Sequence, residues 1–192
     1  MSLADRLREA LDRPPSEPLL PGDDYAGAGE AIPAAVLIAI TDRPEPGVIL
    51  TVRPEGMRTH PGQVAFPGGR VDPGEDAAAA AVREAWEEIG LEPKAVELVA
   101  AIDCYRTVTG FAVTPLVAAI PPDLALLPHE PEVADWFEAP LAFVLDPANH
   151  RRHSALFEGR ERHYYRIDWN GRIIWGATAA MIVNLSRRLQ WS

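Results

Sequence analysis

A chain of 192 residues with one cysteine, no long apolar run and fewer bases than acids is barred from several kinds of function by these shortages. The lone Cys104 leaves no disulfide framework and no thiolate metal site to build. It lies among apolar residues of an expected strand, so it reads as a small core side chain without redox or nucleophilic work. No hydrophobic stretch is long enough to span a membrane. From Ser2 to Leu11, charges alternate with Leu3, Leu7 and Leu11 at helical period, which is not the uninterrupted apolar stretch of a signal peptide; a cytoplasmic protein is expected. Eighteen Lys and Arg against 28 Asp and Glu give a formal net charge of −10, and no nucleic-acid surface is expected without a basic stripe. A polyanionic small molecule would instead need local positive charge, which Arg53, Arg58 and His60 offer. His150-Arg151-Arg152-His153 is a second basic cluster, but it lacks a phosphate-binding spacing and reads as a solvated loop.

What is present suits a compact catalyst. At 47% hydrophobic the chain can bury one core, and a single domain over residues 1–192 is expected, with residues 1–30 forming an N-terminal helix and a Pro-rich connector from Pro14 to Pro21. Ala34 to Thr41 and Val48 to Arg53 read as strands, split by the turn-like stretch from Asp42 to Gly47. Val96 to Tyr105 and Phe111 to Ile120 read as two more, joined at Thr109-Gly110, with Pro121-Pro122 ending the second. A short apolar stretch surrounds Trp136. Leu156 to Phe157 and Tyr164 to Trp169 suggest a late hairpin, and Trp175 to Leu189 a final helix. No repeat or low-complexity tail is visible, and periodicity alone gives a mixed α/β fold.

The most informative segment is residues 69–91, GRVDPGEDAAAAAVREAWEEIGL. From Asp76 to Ile89 it has the period of an amphipathic helix, with Val82, Ala85, Trp86 and Ile89 as an apolar stripe, Asp76 as N-cap and Gly90 as the stop. Glu84, Glu87 and Glu88 then project together from the opposite side. The ordinary reading of such a cluster is the solvated side of a surface helix. Energetics oppose it, because like charges at i, i+3 and i+4 cost roughly 0.2–0.5 kcal/mol per pair and all three acids sit at the negative end of the helix dipole. A divalent cation would reverse both penalties, since Mg²⁺ takes one or two carboxylates and completes its shell with water and phosphate. Phe66-Pro67-Gly68-Gly69 supplies a tight turn whose carbonyls could reach the same ion.

These residues resemble the Nudix box, a pattern of Gly, five residues, Glu, seven residues, Arg-Glu, an aliphatic, any residue, Glu-Glu, any residue, Gly and an aliphatic. Gly69, Glu75, Arg83, Glu84, Glu87, Glu88, Gly90 and Leu91 occupy every fixed position, and Ala85 stands where a larger aliphatic is usual. The preceding stretch, Ile49 to Gly69, is similar to the signature of the coenzyme A pyrophosphatase branch of that family. Thr51, Arg53, Arg58, Gly62, Phe66, Pro67, Gly68 and Gly69 fit it, while Ile49 replaces a Leu and Pro54 a Ser or Ala. Ile174 to Ala179 is similar more loosely.

The resemblance implies a Nudix fold: an α/β/α sandwich with a mixed β-sheet and a catalytic loop-helix-loop. It also implies hydrolysis of a diphosphate linkage assisted by Mg²⁺ or Mn²⁺. Glu84 and Glu88 become the expected metal ligands, with Glu87 at the flank for a second ion or a water-mediated contact. Gly69, Glu75 and Arg83 take structural roles in the box, and Arg53, Arg58 and His60 are expected to bind substrate. The general base is left open between Glu84 and the acids Glu130, Glu132, Asp135 and Glu138, with Glu132 preferred because its place before the Trp136 stretch is similar to that of an acid in the family. Coenzyme A or an acyl derivative is the expected substrate; ADP-ribose or another nucleoside diphosphate derivative is the alternative, and a non-catalytic nucleotide-binding regulator a third. The sequence leaves both a monomer and a homodimer open.

Overall fold

The computed structural model describes residues 1–23, 29–56, 62–129, 131–157 and 159–191. In chain order it begins with α1 (Leu3–Leu11), β1 (Ile32–Thr41), β2 (Gly47–Val52), β3 (Val64–Ala65), β4 (Gly68–Arg70) and α2 (Ala77–Ile89). There follow β5 (Glu97–Ala101), β6 (Tyr105–Arg106), β7 (Phe111–Ile120), β8 (Asp135–Pro140) and α3 (Leu141–Leu145). The last part holds β9 (Arg151–Phe157), β10 (Arg160–Trp169), β11 (Arg172–Trp175) and α4 (Gly176–Leu189).

Eight strands join in one sheet with the path β3-β2-β1-β7-β5, to which β4, β6 and β8 add through β1, β7 and β2. β1 and β7 run parallel from Ile32–Phe111 to Thr41–Ile120, whereas β2 and β4 pair antiparallel with β1, so the sheet is mixed. Successive side chains of a strand point to opposite faces, and β1 is apolar on both. Ala34, Ile38 and Ile40 enter a core shared with buried residues of α1, α3 and α4; Ala35, Leu37 and Ala39 enter another beneath α2. Helices therefore cover both faces, giving the α/β/α sandwich.

Against β1, β4 takes over from β2. The β1–β2 register is at Ile40–Val48, and the β1–β4 register covers Ala34 to Val36. Phe66 to Gly69 is thus not only a turn: Gly68 and Gly69 are strand residues. The connector also has a defined course, because Asn184 on α4 accepts from the Leu20 amide at 2.8 Å and donates to the Leu20 carbonyl at 2.9 Å.

The helix α2 keeps the expected ends. Asp76 accepts a hydrogen bond from the Ala79 amide at 2.7 Å, and Gly90 stops the helix with φ of +66°. Its buried stripe is different from the expected one, being Ala80, Ala81, Ala85 and Ile89, while Trp86 is about half exposed and Val82 only partly covered. Alanines let the helix lie close to the alanine-rich strand face, which is where the smaller residue at position 85 of the box finds its reason.

Three other expectations are corrected. The strand from Val96 to Tyr105 is broken into β5 and β6, and Cys104 is exposed in the break rather than in the core. His150 to His153 is not a loop, since Arg151 begins β9; the His150 ring meets the Val144 carbonyl at 2.7 Å, and burial lowers its pKa. The late hairpin is a three-stranded antiparallel sheet, with β11 following the turn at Asn170-Gly171, both of positive φ.

The tight seating of α2 makes a prediction. Ala81→Leu should overpack this face and cost about 1–3 kcal/mol, read as a fall of several degrees in the thermal unfolding midpoint. An unchanged midpoint would show that the helix can move off the sheet freely.

Candidate active site

The site is built where α2 crosses the β4 end of the sheet. Glu84 and Glu88, one turn apart, face the Gly68-Gly69 strand instead of open solvent: the Glu84 side chain is only 15% exposed, and Glu88 accepts a hydrogen bond from the Gly68 amide at 3.0 Å. The three acids therefore do not share one solvated face, because Glu87 alone lies toward water with its side chain half exposed. Backbone contact requires glycine at position 68, and at position 69 a side chain would displace the Glu84 carboxylate. A Cβ on Gly68 would overlap the Ala35 carbonyl and Val36, and one on Gly69 would overlap the Glu84 carboxylate.

Arg83 ties the helix to the loop before it. Its Nε and Nη2 donate to the two Glu75 oxygens at 2.9 and 3.0 Å, a bidentate pair, and Nη2 also donates to the Arg70 carbonyl at 3.1 Å. Nη1 reaches Glu84 at 3.0 Å and Glu87 at 3.2 Å. Glu75 is further fixed by the Asp72 amide at 3.1 Å. Hydrogen bonding to Arg83, then to the Asp72 amide, holds the Glu75 pKa below its ordinary value, while Glu75 raises that of Arg83.

The two inward acids are shifted the other way. Burial raises the Glu84 pKa, against the opposing pull of Arg83. Burial pushes Glu88 up to about 8, with the Gly68 amide lowering it and Glu84 and Glu132 raising it further. Arg53 opposes that rise by its charge, and its Nε is buried without a hydrogen-bond partner among the described residues. Buried donors of this kind call for an acceptor.

Glu132 stands on a loop whose position depends on the same helix. The amides of Leu127 and His129 donate to the carbonyls of Ile89 and Glu88 at 2.9 and 2.8 Å, satisfying two groups at the end of α2. The Glu132 amide donates to the His129 carbonyl at 2.9 Å, and the Ala134 amide joins the loop to Val52 of β2, also at 2.9 Å. Its exposed side chain contributes charge to both Glu84 and Glu88. Asp135 instead pairs with Arg172 at 2.7 Å, and Glu138 with Arg43 at 3.2 Å. Arg58, His60 and Glu130 lie outside the described residues.

Among the described residues, no three His, Cys, Asp or Glu side chains converge as a ready cage. Mg²⁺ does not need one, because it binds through one or two carboxylates and keeps several waters. Two neighbouring, partly buried carboxyls whose desolvation disfavours their charged forms fit such an ion, which would supply the missing positive charge. Sequence periodicity could not reveal the Gly68–Glu88 hydrogen bond or the docking of Leu127 and His129 on the helix end, because both are contacts between distant segments.

Comparison with known proteins agrees with this geometry. Residues 31–159 match the model of the NUDIX domain, and the chain belongs to the Nudix family. Proteins named uncharacterized Nudix hydrolase NudL from Escherichia coli K12 and Enterobacter sp. strain 638 are 43% and 42% identical, covering 81% of this chain and 82% of theirs. RenU, a Nudix hydrolase of M. smegmatis, superposes with a TM-score of 0.52 at 23% identity over 62% of this chain and 84% of its own. A MutT/nudix family protein from Enterococcus faecalis gives 0.52 at 14% identity over 97% and 68%. Both structures share the fold.

Two outcomes follow, the first for the metal-free protein. A carboxyl with a raised folded-state pKa binds more protons folded than unfolded, so its contribution to stability falls as pH rises from its ordinary value toward about 8. Glu88→Gln should flatten that part of the stability–pH curve while leaving the fold, and an unchanged slope would exclude Glu88 as its source. Arg83→Ala should lower stability by roughly 1–2 kcal/mol and reduce activity together, because it frees Glu75 and Glu84 at once. Unchanged unfolding with only a raised KM would make Arg83 a substrate contact instead.

Proposed function

We propose that the chain hydrolyses the diphosphate bond of coenzyme A or acyl-coenzyme A in a metal-dependent reaction, giving adenosine 3′,5′-bisphosphate and (acyl-)4′-phosphopantetheine. The observation that carries the chemistry is the partly buried pair Glu84 and Glu88, set against Gly68-Gly69, with Arg53 acting by its charge on Glu88. The choice of coenzyme A is supported by the Thr51 to Gly69 pattern.

In this reading Glu84 and Glu88 would hold Mg²⁺ or Mn²⁺, and Glu87 would contribute from the solvent side, directly or through water. When bound, the ion would supply charge neutralisation at the diphosphate and acidity to a water. Arg53 turns its unpartnered Nε to a phosphate oxygen, with Arg58 and His60 as further substrate-binding residues. Glu132, which makes no side-chain hydrogen bond or ion pair among the described residues, accepts the proton of the attacking water. The water oxygen bonds to one phosphorus, the bridging P–O bond breaks and the other phosphate leaves. Gly69, Glu75 and Arg83 keep the loop and helix in place.

Chromatographic product analysis with Mg²⁺ and Mn²⁺ on coenzyme A, ADP-ribose and a nucleotide sugar tests the substrate. Coenzyme A should be cleaved at the highest kcat/KM, and its analogue lacking the 3′-phosphate should lose roughly ten- to hundredfold if one charge-assisted contact is made. Much faster cleavage of ADP-ribose would overturn the coenzyme A assignment but not the hydrolysis, and binding without turnover of any substrate would make the chain a regulator. Glu88→Gln should lower turnover by orders of magnitude at saturating Mg²⁺, and near-wild-type turnover would remove it from the metal site.

A further inference from the structure

Resting on that reading, we infer that the cleft between the β2–β3 edge and the β10–β11 hairpin is the subsite for the 3′-phosphoadenosine end of the substrate. The cleft, of about 330 Å³, is lined by Val52, Gln63, Val64, Arg172, Ile173 and Trp175 among others. That volume is at the small end of the range for ligand sites, roughly 300–1,000 Å³. Its link to the proposed reacting centre is Gln63: the Arg53 amide donates to the Gln63 carbonyl at 3.0 Å and Gln63 lines the cleft, whereas Val52 and Val64 belong to the core on the side of the sheet opposite α2. A diphosphate held at Arg53 would reach the cleft around the β3 edge, past Gln63.

The walls match a base bearing a phosphate. Ile173 and Trp175 are large apolar residues left 43% and 40% exposed. The Trp175 indole meets Tyr164 edge-on at 5.9 Å between centroids, and Tyr164 stacks with His153 at 5.8 Å, so the ring is braced from one side. Such a ring is a stacking platform for a purine. Across the cleft, Gln63 carries an amide with both donor and acceptor for a base edge, and its Nε2 lies beside Gly176, directly after Trp175.

Positive charge lies next to that platform. Arg166 is the cross-strand partner of Trp175, and Arg151 is the partner of Arg166. Both guanidiniums approach the single carboxylate of Asp168, at 2.7 and 3.9 Å, so the group of three keeps one net positive charge on a chain of net −10. A stacked adenine would place its ribose phosphate where this charge can reach it. The pantetheine arm has no anion beyond the diphosphate and would leave that charge unused, which favours the nucleoside end.

The test is titration of the full chain with adenosine 3′,5′-bisphosphate, AMP and 4′-phosphopantetheine, by calorimetry and by the NMR signal of the Trp175 indole, assigned with Trp175→Phe. The bisphosphate should move that signal and bind about tenfold more tightly than AMP. Trp175→Ala should lose roughly tenfold in bisphosphate affinity, Trp175→Phe should retain most of it, and Arg151→Ala with Arg166→Ala should abolish the preference over AMP. Thermal unfolding of each variant guards against loss of fold, and the wild-type titration decides the matter without any variant. An unmoved Trp175 signal, or one moved by 4′-phosphopantetheine instead, would overturn the subsite. A moved signal together with no cleavage of coenzyme A would leave the subsite standing and reject the substrate assignment alone.

Discussion

The site depends on the set of bonds made by one guanidinium. Arg83 holds both oxygens of Glu75 and the Arg70 carbonyl on one side, and Glu84 with Glu87 on the other. Without it, Glu84 and Glu87 would meet the negative end of the helix dipole with no ion pair of their own, and Arg53 would be left to offset Glu88 alone. The planar fork of Arg83 suits this task better than an ammonium would, because two parallel bonds to Glu75 fix direction as well as distance. The loop from Gly69 to Glu75 and the helix that follows are thereby made one unit, and the inward acids are presented to β4 at a set height.

What that unit presents is determined by small residues. Gly68 and Gly69 admit the Ala35 carbonyl and the Glu84 carboxylate where a Cβ would stand, and Ala80, Ala81 and Ala85 let the helix come down onto the sheet. Close seating is what buries Glu84 and Glu88, and burial is the leading cause of their raised pKa values. Packing and electrostatics are therefore one constraint: a larger side chain on this face would lift the helix and return the acids to water.

Local features of this arrangement are legible in the sequence, and contacts between distant segments are not. Asp76 and Gly90 mark the ends of α2 because capping depends on a few neighbouring residues. Its inward face is harder to read, because hydrophobicity weights Trp86 above three alanines while the packing rewards closeness. The fate of Cys104 turns on a register shift between Leu98 and Ala100 and the break after Ala101; a one-residue slip reverses which side chain points inward. By contrast, Asn170-Gly171 is a local hairpin signal, and the structure pairs β10 with β11 across it. The pairing of Arg83 with Glu75 is legible only through the family pattern, since eight residues of spacing alone do not bring a loop back onto a helix.

The charge of the chain sharpens the chemistry that is proposed. With a formal net charge of −10, its surface repels a nucleotide, and the densest acids sit where the diphosphate must bind. A carboxylate pair that is costly to ionise without a cation becomes a strong binder of one, and the bound ion then reverses the local sign for an approaching phosphate. Arg53, whose charge acts on Glu88 and whose amide is bonded to Gln63 of the cleft bordered by Trp175, would continue that positive path away from the helix. In the proposed reading selectivity would follow from order: the cation and Arg53 would take the diphosphate common to many nucleotides, leaving the next contacts along the cleft to distinguish one from another.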